Sequence, residues 1–60
     1  MSAADAGEHL IMVEDCEKRE SKLSDWERGF IDSIKNQLQA GHALTARQAE
    51  TLDAIWERVT

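Results

Sequence analysis

Two helix-start signals on either side of a glycine constrain this chain more than any other feature. Ser24-Asp25-Trp26-Glu27 places a hydroxyl three residues ahead of a carboxylate. The serine oxygen and the glutamate can then each accept from a backbone N–H that would otherwise be unpaired at a helix start. Thr45-Ala46-Arg47-Gln48 repeats the arrangement with an amide in the third position, and Leu44 ahead of it can close on Ala49. Gly41 stands between them, where the end of a helix calls for a left-handed residue. This punctuation predicts one helix over about 25–40 and another over about 46–59. A connection this short predicts that the two lie antiparallel.

The apolar spacing sets a register for the hairpin. Trp26, Phe30, Ile34 and Leu38 recur at helical intervals and are expected to face inward, with an exposed interaction anchor as the alternative for Trp26 and Trp56 at the open end of the hairpin. Trp26 should then lie near Trp56 and Val59, Phe30 should meet Leu52 and Ile55, and Ile34 and Leu38 should meet Ala49, Gln48 and Leu44. On the last helix Leu52, Ile55, Trp56 and Val59 form one narrow band, as expected for a helix buried on one side. On the preceding helix Ile31 falls off the Trp26, Phe30, Ile34 line by more than a quarter turn, so that helix needs a second neighbour. The N-terminal segment or another copy of the chain can supply it.

Residues 1–7 are small and polar and are expected to fray; Asp5 with Glu8 offers a further capping box, which Gly7 in the first turn weakens. A helix over about 8–21 is predicted. Its acid-to-base pairs Glu14 with Lys18 and Asp15 with Arg19 stand at i,i+4 in the favourable orientation. Leu10-Ile11-Met12-Val13 is apolar all round, which implies that Ile11 or Met12 meets something beyond the hairpin. The expected fold is therefore all-α: an antiparallel helical hairpin plus an N-terminal helix, in a single domain of 60 residues. A homodimer through Met12 and Ile31 is a further means of completing it, since small domains without disulfide or metal often gain stability by oligomerising.

Composition narrows the function classes. The net charge is −5, and both the 1–23 and the 24–60 portions are acidic. The bases are scattered, whereas a nucleic-acid binder usually shows a basic stripe because phosphate neutralisation supplies most of its affinity. A helix-turn-helix reading would put Arg47, Gln48 and Thr51 at a groove. The long turn and the acidic balance argue against direct binding. Glu14, Asp15, Glu17 and Glu20 form the densest acidic group, interleaved with Lys18, Arg19 and Lys22. It reads either as a solvated helix face or as a surface for a basic cleft.

The single cysteine, Cys16, excludes an internal disulfide framework and reads as a small apolar side chain. His9 and Cys16 are about 10 Å apart along a straight helix, too far to chelate one ion directly. His42 falls in the turn, so no metal site and no cofactor are expected. There is no phosphate-binding loop and no nucleophile–base arrangement, and the chain is short for a substrate cavity; it is not expected to be an enzyme. No stretch is long enough to span a membrane and none reads as a signal peptide, so a soluble protein of the cytoplasm is expected.

Three segments, Leu23-Ser24-Asp25-Trp26-Glu27-Arg28-Gly29-Phe30-Ile31, Leu44-Thr45-Ala46-Arg47-Gln48 and Leu52-Asp53-Ala54-Ile55-Trp56-Glu57-Arg58-Val59, carry a resemblance. Together they resemble a helical segment found in short phage and prophage proteins, and also in tails of phage DNA-metabolism proteins. The resemblance covers about two-thirds of the chain and carries no established activity or functional residue with it. The context it implies is that of small, acidic, non-enzymatic phage products that bind and divert a host protein, defence complexes included. The expected function is stoichiometric protein binding in the host cytoplasm, as an inhibitor or modulator of a host machine. Met12, Glu14, Asp15, Glu17, Glu20 and Ile31 are the expected contact residues, and the partner is a host or phage protein. The alternative is an accessory module of phage DNA replication or recombination that contacts DNA, or a DNA-bound protein, through Arg47, Gln48 and Thr51.

Overall fold

In the computed structural model, which describes residues 6–60, three α-helices follow one another: α1 (Ala6–Lys18), α2 (Asp25–Gln39) and α3 (Ala46–Val59). A single 3-10 turn (Glu20–Lys22) links α1 to α2. The expectation that 1–7 frays falls, for residues 1–5, outside the described residues, as does the capping role of Asp5; Ala6 and Gly7 belong to α1.

Both hairpin helices begin where their caps dictate. The Ser24 hydroxyl accepts from the Glu27 backbone N–H at 3.2 Å, and the Glu27 carboxylate accepts from the Ser24 N–H at 2.8 Å. Thr45 and Gln48 repeat the exchange at 3.1 and 3.0 Å. At the other end of α2, Gly41 adopts φ +89°. Its N–H bonds to the Leu38 carbonyl and the next N–H, of His42, reaches the Gln37 carbonyl, both at 3.0 Å. This pair of bonds satisfies two of the carbonyls that a helix end leaves open. The Gln37 side chain spans the turn, donating to the Ala43 carbonyl at 3.0 Å and exchanging bonds with Gln48 at 3.0 and 3.1 Å. At the open end of the hairpin Arg58 pairs with Glu27 and donates to the Lys22 carbonyl at 3.1 Å. The Gln37–Gln48 and Glu27–Arg58 pairs share one midpoint in the turn, which fixes the antiparallel register.

The N-terminal helix is shorter than expected. A helix continuing to about 21 is interrupted at Arg19, whose φ of −114° and ψ of 35° leave the helical region. The chain then tightens, with Lys22 N–H bonded to the Arg19 carbonyl at 2.9 Å and Leu23 N–H to the Glu20 carbonyl at 3.0 Å. The tighter turn delivers Leu23 into the core immediately before the Ser24 cap. Arg19 donates to the backbone oxygen of Asp15 at 3.2 Å and not to its carboxylate.

The core is built from all three helices: Val13 and Cys16 from α1, Ile31, Ile34 and Leu38 from α2, and Leu52, Ile55 and Val59 from α3, with Leu23 from the linker. The second neighbour that α2 requires is thus the N-terminal helix of the same chain. α1 packs against both partners more extensively than α2 and α3 pack against each other. Polar ties reinforce this. Lys35 pairs with Glu17 at 3.1 Å to join α2 to α1, and the Trp56 indole N–H donates to Asp15 at 3.3 Å to join α3 to α1.

Two expectations about α2 are corrected. Ile31, assigned to an outer contact face, is 2% exposed and lies in the core. Trp26, assigned to the inward stripe, is 65% exposed. The buried row is Ile31, Ile34 and Leu38, one residue round from the Trp26, Phe30 row, because α1 draws the Ile31 side of the helix inward. Phe30 is half-buried at the margin of the core.

Candidate protein-binding surface

The expected contact residues do not form one surface. On α1, Glu14 is exposed, whereas Asp15 and Glu17 are half-buried and engaged by Trp56 and Lys35. Met12 is half-buried against the core and lines a recess of about 260 Å³ with His9, Ala49, Glu50 and Asp53. Glu20 is exposed beside a second recess, of about 150 Å³, whose other walls are Glu17, Leu23, Arg28, Ile31 and Asp32. With Ile31 in the core and two of the four acids tied to neighbouring helices, the acidic face of α1 serves the fold more than it offers itself to a partner. Ile11, 59% exposed, stands alone on the solvent side of α1.

The residues expected to meet DNA are also divided. Arg47 is exposed and makes no ion pair among the described residues. Gln48, however, has its side-chain amide shared between the Thr45 cap and Gln37. The Thr51 hydroxyl donates to the Arg47 carbonyl at 2.9 Å. Gln48 cannot read a base edge without dismantling the hairpin's closed end.

What sequence reasoning missed is the Trp26–Phe30 pair. The rings stack with centroids 5.4 Å apart and planes 8° from parallel. Trp26 sits in the first turn of α2, so its indole stands clear of the core while resting on Phe30. A signal was present in the spacing: Trp26 and Phe30 continue at helical intervals into Ser33 and Gln37, a row that turns polar, whereas the adjacent row through Ile31, Ile34 and Leu38 stays apolar. Gly29 borders the pair, and a Cβ built there meets nothing within 4 Å.

Glu27 and Cys16 are shifted from their ordinary values in ways that follow from their surroundings. The Ser24 backbone N–H and then the Arg58 guanidinium hold the Glu27 carboxyl below the ordinary carboxylate range. Burial, with the neighbouring Asp15 charge, pushes the Cys16 thiol up, which disfavours the reactive thiolate. His9 is a buried residue of α1, and His42 is exposed. Among the described residues no group of three or more His, Cys, Asp or Glu side chains converges as metal ligands do, and no helix is long and apolar enough to cross a membrane.

Comparison of the chain with protein-family models, with curated proteins and with solved structures finds no match in any of the three.

Proposed function

We propose that this protein acts by stoichiometric binding to another protein, in the manner of a small phage product that inhibits or modulates a host machine. The observation that carries the reading is the Trp26–Phe30 stack, held at the surface of a helix whose core side is otherwise well packed. A large aromatic left in water forgoes burial energy that the fold could have used, and tryptophan is enriched where binding energy concentrates. The recesses, about 150 and 260 Å³, fall below the range of roughly 300–1,000 Å³ usual for small-molecule sites, which supports a macromolecular ligand. Capture of partners by the tagged protein from nuclease-treated host lysate tests it. One stoichiometric protein retained by wild type and weakened ~30-fold or more by Trp26→Ala is expected, the scale of a binding hot spot. Capture that vanishes on nuclease treatment would sink it.

The DNA-module reading is favoured by one observation, the exposed Arg47, which makes no ion pair among the described residues. It requires duplex or single-strand affinity that falls steeply with salt and is lost on Arg47→Glu.

A further inference from the structure

The surface around Trp26 has a shape and a charge that narrow what can cover it. Two rows flank the seam between α2 and α3 on the side away from α1: Trp26, Phe30, Ser33 and Gln37 on α2, and Arg47, Thr51, Ala54 and Arg58 on α3. Both rows have the spacing i, i+4, i+7, i+11, which is one helix face over three turns. The Gln37–Gln48 and Glu27–Arg58 pairs set the rows side by side and antiparallel, with Trp26 toward the Arg58 end and Gln37 toward the Arg47 end. This is the seam at which the fold's helices approach least. Its middle is floored by half-buried Phe30 and edged by the small side chains of Ser33, Thr51 and Ala54.

The charge of the seam is opposite to that of the molecule. In a chain of net charge −5 the two rows contain two arginines and no carboxylate. Glu27, which reaches the seam, is already paired with Arg58, and that guanidinium, about half exposed, has donors beyond the two it uses on Glu27 and the Lys22 carbonyl. Arg47 has no ion pair among the described residues. The two arginines stand eleven residues apart on α3, about 16 Å along its axis.

Resting on the protein-binding reading, we infer that the occupant is an acidic amphipathic α-helix of the partner, laid along the α2/α3 seam as a fourth helix. Its apolar residues cover Phe30 and the Trp26 indole, and carboxylates about three turns apart meet Arg47 and Arg58. Helix-in-groove recognition of this kind reads anchors at i, i+3, i+4 and i+7 and takes its orientation from the flanking charges. Single-stranded nucleic acid is disfavoured because two arginines about 16 Å apart, one of them already paired with Glu27, make no continuous basic groove for its phosphates.

The test uses a display library of amphipathic helices of about 18 residues, with a fixed leucine seam and glutamate or lysine varied at the flanking positions. Selection is against the full chain, and recovered peptides are titrated against wild type, Trp26→Ala and Arg47→Glu, each checked for retained helicity by circular dichroism. Recovery of glutamate-flanked helices whose affinity drops ~10-fold or more in either variant is expected, with lysine-for-glutamate peptides regaining affinity for Arg47→Glu. Enrichment of lysine, no enrichment, or binding indifferent to both substitutions would overturn the inference. So would self-association of the chain that Trp26→Ala abolishes, which would make a second copy the occupant. A lysate partner lost on Trp26→Ala, with no acidic helix recovered, overturns the acidic helix but leaves protein binding standing. Retention of oligothymidine through Arg47 overturns both.

Discussion

Two glycines show how differently one residue type can serve the same helix. Gly41 ends α2 at φ +89°, a conformation that strains any residue with a Cβ and a β-branched one most. Gly29 lies inside α2 with open space where a Cβ would stand, so nothing within the chain requires it. Gly41→Val is expected to lower stability by about 1–2 kcal/mol, and Gly29→Ala to raise it by about 0.5–1 kcal/mol; thermal melts of both variants measure this. If Gly29→Ala stabilises the free protein but weakens partner capture, Gly29 is held for close approach by the partner. The role of Gly41 was legible in the sequence because a helix stop is a local matter. The exposure of Trp26 was only faintly marked, by the polar Ser33 and Gln37 further along its row, because Trp26 and Phe30 are themselves apolar at core spacing and the position of α1 decides which row is covered.

At the scale of elements, the N-terminus of α2 joins a cap to a cross-helix contact. Glu27 accepts from Ser24 and from Arg58 of α3, and both hold its folded-state pKa below the unfolded value of about 4.3. The sign follows from linkage. A carboxyl with a depressed folded pKa contributes its stability in full above the unfolded pKa and loses it as the pH falls through the folded value. Glu27→Gln is therefore expected to melt below wild type at neutral pH, with the gap closing as the pH falls into that range. The glutamine retains the cap, as Gln48 does for α3, so the variant isolates the charge. A gap unchanged across that pH range would show that the Glu27 charge is not coupled to folding. The cap itself was readable from Ser24 and Glu27; its second ligand, Arg58, lies 31 residues away and follows only from the register.

For the whole molecule, α1 is the element on which the other two converge. It supplies Val13 and Cys16, both fully buried, and its Asp15 and Glu17 reach α3 and α2 respectively. The hairpin of residues 23–60 on its own is accordingly expected to lose most of its helical circular dichroism and its cooperative melt, since isolated helices of this length are marginal in water. A hairpin that melts cooperatively without α1 would show that the α2/α3 seam carries its own core. The same arrangement places the acids of α1 in structural service and leaves the arginine-bearing seam as the face that offers aromatic surface.

By itself the sequence determined the starts of α2 and α3, the glycine stop between them and the antiparallel hairpin, because each is specified by hydrogen bonds among residues close in the chain. It also determined the all-α class, through helical spacing and the caps. Only the tertiary structure decided which way α2 is turned, that α1 breaks at Arg19 to bring Leu23 into the core, and that Ile31 is covered while Trp26 is not. The physical reason is that rotating a helix about its axis costs nothing in its own backbone bonds. The rotation is chosen by the neighbours it packs against, and here that neighbour is the helix least clearly marked in the sequence.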